Sequence, residues 1–119
     1  MTFIGLGHYN PFLADSLLNA RGRTFAAQSA VVMRSFNETL RTVYTASSIT
    51  YANVALAFGD YSGATSHLSN EFGASGGAAQ SCTLTWMCAA PPFGPNLHPT
   101  DAGNQVIADT ITALLPSHF

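Results

Sequence analysis

The side chains in this sequence that can do chemistry are few: four histidines, two cysteines, six acids and the hydroxyls of a serine- and glycine-rich middle. His98 has the most specific setting, in Asn96-Leu97-His98-Pro99-Thr100-Asp101-Ala102-Gly103, a loop directly before the last amphipathic segment. Its imidazole can take up and return a proton near neutral pH. His8, in His-Tyr-Asn-Pro, falls where a first strand should end, the side on which open α/β sheets bind ligands, but reads better as a turn residue bonded to backbone. His67 and His118 lie in a polar loop and a terminal tail and read as solvated. No two histidines have helix or hairpin spacing and the acids are scattered, so no metal site is expected. Cys82 and Cys88, in Cys-Thr-Leu-Thr-Trp-Met-Cys, match the spacing of neither redox pairs nor zinc knuckles. A local disulfide is expected in preference to two reduced core cysteines, and it would place the mature protein outside the reducing cytosol.

Composition narrows the rest. With 119 residues, 47% hydrophobic and 8% charged, the chain reads as one compact unit or a piece of one. Four arginines against a net charge of −2 leave no basic stripe for phosphates, which argues against a nucleic-acid partner. The sequence contains no lysine, which excludes a Walker-type phosphate loop, a Schiff-base nucleophile and a Ser-Lys dyad. No apolar run is long enough for a membrane span, and no basic segment, hydrophobic stretch and cleavage site open the chain as an export signal.

The elements that must position these groups are an α/β set. Thr-Phe-Ile-Gly-Leu-Gly reads as a buried parallel strand, so close to Met1 that this methionine reads as an internal or mis-assigned start. Pro11 suits the first turn of a short helix running to Leu18, and Asn19 to Arg23 reads as a loop around Gly22. From Thr24 to about Thr45 the spacing is helical. Phe25, Val32, Phe36, Leu40 and Val43 form the expected buried face, with Arg34 and Arg41 flanking Glu38 as ion-pair partners on the other side. Ile49 to Phe58 reads as a second strand, which with the first implies a right-handed parallel crossover. Gly59 to Leu97 reads as a long irregular stretch in which Cys82 to Cys88 forms a short extended segment. Thr100 should cap a last helix with an apolar face of Val106, Ile107, Ile111, Leu114 and Leu115, ended by Pro116. Asn37-Glu38-Thr39 fits the N-glycosylation pattern, but on a helix face it reads as a chance match.

Asn96 to Ile111 resembles the last motif block of the SGNH (GDSL-type) hydrolases. There a histidine followed by proline precedes the final helix, and a glycine five residues later lets that helix pack closely. The matching positions are His98 and Gly103. Thr85 to Pro99 is similar to the stretch before the catalytic histidine in a secreted bacterial esterase and lipase branch, where a cysteine pair with an intervening tryptophan, here Cys82, Trp86 and Cys88, is common. Ile4 to Leu13 and the helix through Phe36, Asn37 and Leu40 are similar to that branch more weakly. The resemblance implies a partial three-layer α/β/α sandwich with a parallel sheet whose N-terminal strands are missing, making residues 1–119 a C-terminal portion of one hydrolase domain. It also implies carboxylic-ester hydrolysis through an acyl-serine intermediate, a secreted parent protein and no cofactor.

The departures from that family carry equal information. The Gly-Asp-Ser block and the glycine and asparagine blocks of the oxyanion hole are absent, so the serine nucleophile is expected outside this chain and the chain alone is expected to be inactive. Gly59-Asp60-Tyr61-Ser62 is a decoy, because Tyr61 separates the acid from the serine. His98 would be the general base, which requires a partner holding Nδ1–H so that Nε2 can take the serine proton. Where the family has an aspartate, this sequence has Pro95, and Asn96 follows. Either the Pro95 carbonyl or the Asn96 side chain is expected to orient His98, while Asp101 belongs to the helix dipole. Trp86 and Met87 can wall an acyl pocket or fill core. The partners implied are a small-molecule, lipid or carbohydrate ester and a missing N-terminal half. The other class of function is a secreted, disulfide-pinned α/β binding module without catalysis.

Overall fold

The computed structural model describes residues 1–61 and 76–117. Strands β1 (Ile4–Leu6) and β2 (Thr50–Ala52) pair in parallel, with Ile4 opposite Thr50, Gly5 opposite Tyr51 and Leu6 opposite Ala52. A parallel pair needs a long crossover, and the chain between the strands supplies it. A 3-10 helix, Pro11–Leu17, is followed by α1, Ala20–Ala46. The Asn10 side chain caps the first of these, accepting from the Phe12 amide at 3.0 Å.

Residues Asn19 to Arg23, expected as a loop, are instead the start of α1. Asn19 is its N-cap, accepting from the Gly22 amide at 2.8 Å. Gly22 is there because a Cβ would collide with the Asp15 carbonyl where the two helices meet. The second strand is also shorter than its β-branched composition implied. Asn53 accepts from the Leu56 amide at 3.1 Å and turns Val54–Ala57 into the short helix α2. A side-chain cap thus overrides strand propensity.

The long irregular stretch contains an element that composition concealed, α3 at Gly76–Leu84. Cys82 lies in α3, and Trp86–Cys88 is one 3-10 turn, so the expected extended segment is helical on both sides of Thr85. The last helix, α4, spans Asp101–Thr112, and Thr100 caps it through the Gly103 amide at 3.2 Å. Gly103 is buried, and a Cβ there would meet the Leu84 carbonyl and approach Pro99 Cβ to 2.9 Å. Its lack of a side chain lets α4 lie against the end of α3.

The core is built mostly of small residues. Leu13, Ala14, Ala26, Ala52, Val54, Ala55, Phe58 and Ala78 are all buried, joining the first 3-10 helix to α1, β2, α2 and α3. The predicted face of α1 is turned out instead. Phe25 is 45% exposed, Val32 66%, Phe36 47% and Val43 54%, whereas Ala26 and Asn37 are buried. Two short strands and one 3-10 helix can cover only one stripe of a 27-residue helix, and the stripe rich in small residues permits the closer approach. Arg34 and Arg41, expected beside Glu38, place their guanidiniums over the rings of Tyr61 and Tyr51, at 5.1 and 5.0 Å from the ring centroids.

The molecule measures 47 × 32 × 18 Å, and its narrow dimension is about that of two stacked layers at roughly 10 Å each. Together the described residues make a mixed helix and strand fold with a two-stranded parallel sheet. They do not make a three-layer sandwich. No helix among them is long and apolar enough to cross a membrane.

Cys82 and Cys88 form a disulfide with Cα atoms 5.1 Å apart, a bond compatible with an extracellular location. Closing so short a loop restrains the unfolded chain modestly. Replacing both cysteines by serine is expected to lower stability by about 2 kcal/mol in urea unfolding. An unchanged midpoint with an unchanged slope would show that the bond adds nothing.

Candidate active site

The His98 loop is strapped to the chain that follows α3. Thr85 and Pro99 form an antiparallel bridge, the Trp86 amide donates to the His98 carbonyl at 3.0 Å, and the Asn96 amide donates to the Trp86 carbonyl at 3.1 Å. The Thr100 amide donates to the Leu84 carbonyl at 2.9 Å and its hydroxyl to the Thr83 carbonyl at 3.0 Å. Since the strap begins between the two cysteines, the disulfide closes the same segment that holds the histidine.

The imidazole itself is fixed by Asn96. Asn96 Oδ1 lies 2.8 Å from the His98 backbone nitrogen and 2.6 Å from His98 Nδ1. A backbone N–H can only donate, so the asparagine atom it meets is the oxygen and not the amide nitrogen. That oxygen in turn can only accept, so Nδ1 must carry the proton. In the neutral ring, Nε2 is therefore left with its lone pair, the state a general base requires. Of the two orienters expected from the sequence, the Asn96 side chain is the one bonded to the ring. Asp101 stands in the first turn of α4.

The end of β1 comes to the same place. The Tyr9 hydroxyl donates to the Leu97 carbonyl at 2.9 Å, next to His98. Burial pushes the Tyr9 phenol above its ordinary value, so it stays a donor at neutral pH. Its ring stacks on Phe58 at 4.5 Å and on His8 at 4.8 Å. His8 Nδ1 lies 2.6 Å from the Tyr9 carbonyl, the turn role expected of it. The segment is clamped from α1 by Asn37, whose Oδ1 accepts from the His8 amide at 2.7 Å and whose Nδ2 donates to the His8 carbonyl at 2.8 Å. Buried and doubly bonded, Asn37 is not placed to carry a glycan. His98 thus sits beyond the carboxyl end of a parallel strand, held from one side by α1 through His8 and Tyr9 and from the other by the disulfide segment.

No family model, curated protein or solved structure matches this chain. The local chemistry must therefore speak for itself. Trp86 and Phe93 lie 6.5 Å apart between ring centroids, and with Leu97 they form a partly exposed apolar group along the His98 strap. Ser62, His67 and His118 lie outside the described residues.

A further ionisable group, Asp60, lies in the core. Named in the sequence only within the decoy motif, Asp60 is buried, with Oδ2 accepting from the Asn10 amide at 2.6 Å and Oδ1 without a partner among the described residues. Burial pushes its pKa up to about 7, against the smaller, lowering effect of the Asn10 bond. Through Asn10, whose Nδ2 donates to Ser29 at 3.0 Å and whose carbonyl, with that of Pro11, faces the Ser81 hydroxyl, it ties the turn after β1 to α1 and α3. The signal available in the sequence was an acid one glycine beyond the apolar run Val54 to Phe58, where a solvated turn is the commoner outcome.

Proposed function

We propose that this chain is the base-carrying, C-terminal part of an SGNH-type ester hydrolase whose serine nucleophile lies outside these residues. The observation that carries the reading is the Asn96–His98 pair, which puts the proton of the neutral ring on Nδ1 and leaves the Nε2 lone pair available near the carboxyl end of a parallel strand. Nε2 would take the proton of the serine hydroxyl as it attacks the ester carbonyl, return it to the leaving alcohol, and then activate water for deacylation. Asn96 substitutes an amide oxygen for the usual carboxylate, so it fixes the tautomer while stabilising the imidazolium less.

The architecture supports a larger parent domain. Among the described residues no third strand pairs with β1 or β2, and parallel sheets normally have both faces covered. Further strands and a further helical layer would complete a three-layer sandwich and cover the apolar residues that α1 now turns outward. The disulfide supports a secreted parent.

The test is hydrolysis of a short-chain p-nitrophenyl ester. The chain alone is expected to show negligible turnover, because the acyl-serine step and the oxyanion donors are both missing, the latter worth about a hundredfold or more. A product of the same reading frame extended upstream through an in-frame Gly-Asp-Ser is expected to be active. Robust turnover by the chain alone that disappears with Ser62→Ala would sink this reading and make the decoy serine the nucleophile. The second reading, a secreted binding module without catalysis, is favoured by one observation: a cleft lined by arginines and tyrosines beside α1, which needs no nucleophile to function.

A further inference from the structure

A polar concavity lies away from the Trp86 surface, on the α1 side of the sheet. It has a volume of about 330 Å³ and is lined by Arg34, Asn37, Glu38, Arg41, Tyr51 and Tyr61. That volume is at the lower end of small-molecule sites. Among the described residues Arg34 and Arg41 form no ion pair; their guanidiniums rest on the Tyr61 and Tyr51 rings, a geometry that leaves the N–H donors pointing outward in the guanidinium plane. Rooted seven positions apart, they leave the helix about 10 Å from one another along its axis, and each guanidinium rests on a different tyrosine ring. Glu38, between them, is the anionic acceptor among the described lining residues.

A second observation points inward from the same place. A cavity of about 20 Å³ shares Arg34, Asn37 and Tyr61 with the cleft and is also lined by Asp60. The Asp60 side chain is only 5% exposed and its Oδ1 has no partner among the described residues. A buried polar atom without a partner is costly, and a ligand hydroxyl or one bridging water is the group that would satisfy it.

We propose that this cleft binds a sugar ring carrying a carboxylate. One arginine would hold the carboxylate by charge-assisted hydrogen bonds and the other would donate to ring hydroxyls. Glu38 accepts from hydroxyls, and the tyrosine rings wall the ligand. The cleft is joined to the candidate base through consecutive residues: Asn37 lines it and clamps His8, and the adjoining Tyr9 bonds the Leu97 carbonyl. The substrate class that follows, an ester of an acidic carbohydrate, rests on the ester-hydrolysis reading, whereas binding itself does not.

Titration of the full chain with glucuronate, glucose and inorganic phosphate, followed by amide NMR shifts, tests this. Glucuronate is expected to bind in the millimolar range and to shift the amides of Arg34, Asn37, Arg41 and Tyr51, with glucose and phosphate each at least about tenfold weaker. Arg34→Gln and Arg41→Gln should each weaken glucuronate about tenfold. Amide spectra of the variants confirm that they are folded. Should an arginine variant not fold, Glu38→Gln provides the check, since it should keep carboxylate binding and narrow the preference for glucuronate over phosphate. Equal affinity for phosphate or glucose, shifts confined to other surfaces, or unchanged binding in folded arginine variants would each overturn the proposal. Glucuronate binding without ester hydrolysis by the longer product would overturn the hydrolase reading alone.

Discussion

Replacing Asp60 by asparagine is expected to make the protein more stable at pH 8 by about 2 to 4 kcal/mol and to leave it nearly unchanged at pH 4. The carboxyl has an ordinary value of 3.8 in the unfolded chain and about 7 in the fold, where burial disfavours its charge. Between these values the folded protein keeps a proton that the unfolded chain has released. Wild-type stability should therefore be full below about pH 4, fall as pH rises, and level off above about pH 7. Asparagine has the shape of the protonated acid, can accept the same Asn10 amide bond, and never ionises. Other charged groups, including the Arg34 that lines the same cavity, are common to both proteins and largely cancel in the difference. The measurement is urea unfolding of both proteins across this pH range. If the two stability curves run parallel, Asp60 is not held in a protonated state.

His98→Ala in an active, upstream-extended product is expected to lower kcat/KM by roughly 10³- to 10⁴-fold, the usual weight of a general base serving a nucleophile. Asn96→Ala should cost less, about 10- to 100-fold, because the ring survives but loses the partner that selects its tautomer. Asn96→Asp is the informative third variant. A carboxylate in the same place would keep Nδ1–H and add stabilisation of the imidazolium, so activity should rise. The ¹⁵N shifts of the ring give a readout in the chain as it stands: neutral His98 should be in the Nδ1–H form, and Asn96→Ala should relax that preference. Retention of most activity by folded His98→Ala, or loss of the tautomer preference with no kinetic effect, would remove His98 from the base role.

Local signals were read correctly where the physics is local. Thr100 before Asp101 gave the start of α4, Pro11 gave the 3-10 helix, and the cysteine spacing gave the disulfide. The misses also have local causes that were present but outweighed. Asn19 and Asn53 are side-chain caps, and each started a helix where Gly22 suggested a loop or valine and phenylalanine suggested a strand. Gly76 to Leu84 carries a helix of small residues with little amphipathic contrast, so periodicity could not find it. Around the candidate site, His98 and its two possible orienters were legible, but the choice between carbonyl and amide depended on a side-chain rotamer.

By itself, then, the sequence determined a parallel strand–helix–strand unit, a disulfide-closed segment and a histidine held just before the last helix. Caps, turn residues and short spacings specify these within a few residues of chain. Only the tertiary structure decided which stripe of α1 is covered, that Asn37 is a buried clamp, that Asp60 loses its water, and that Arg34 and Arg41 face tyrosines across a cleft. Burial and charge environment are set by residues far apart in the chain, and periodicity reveals an apolar face without revealing what, if anything, packs on it.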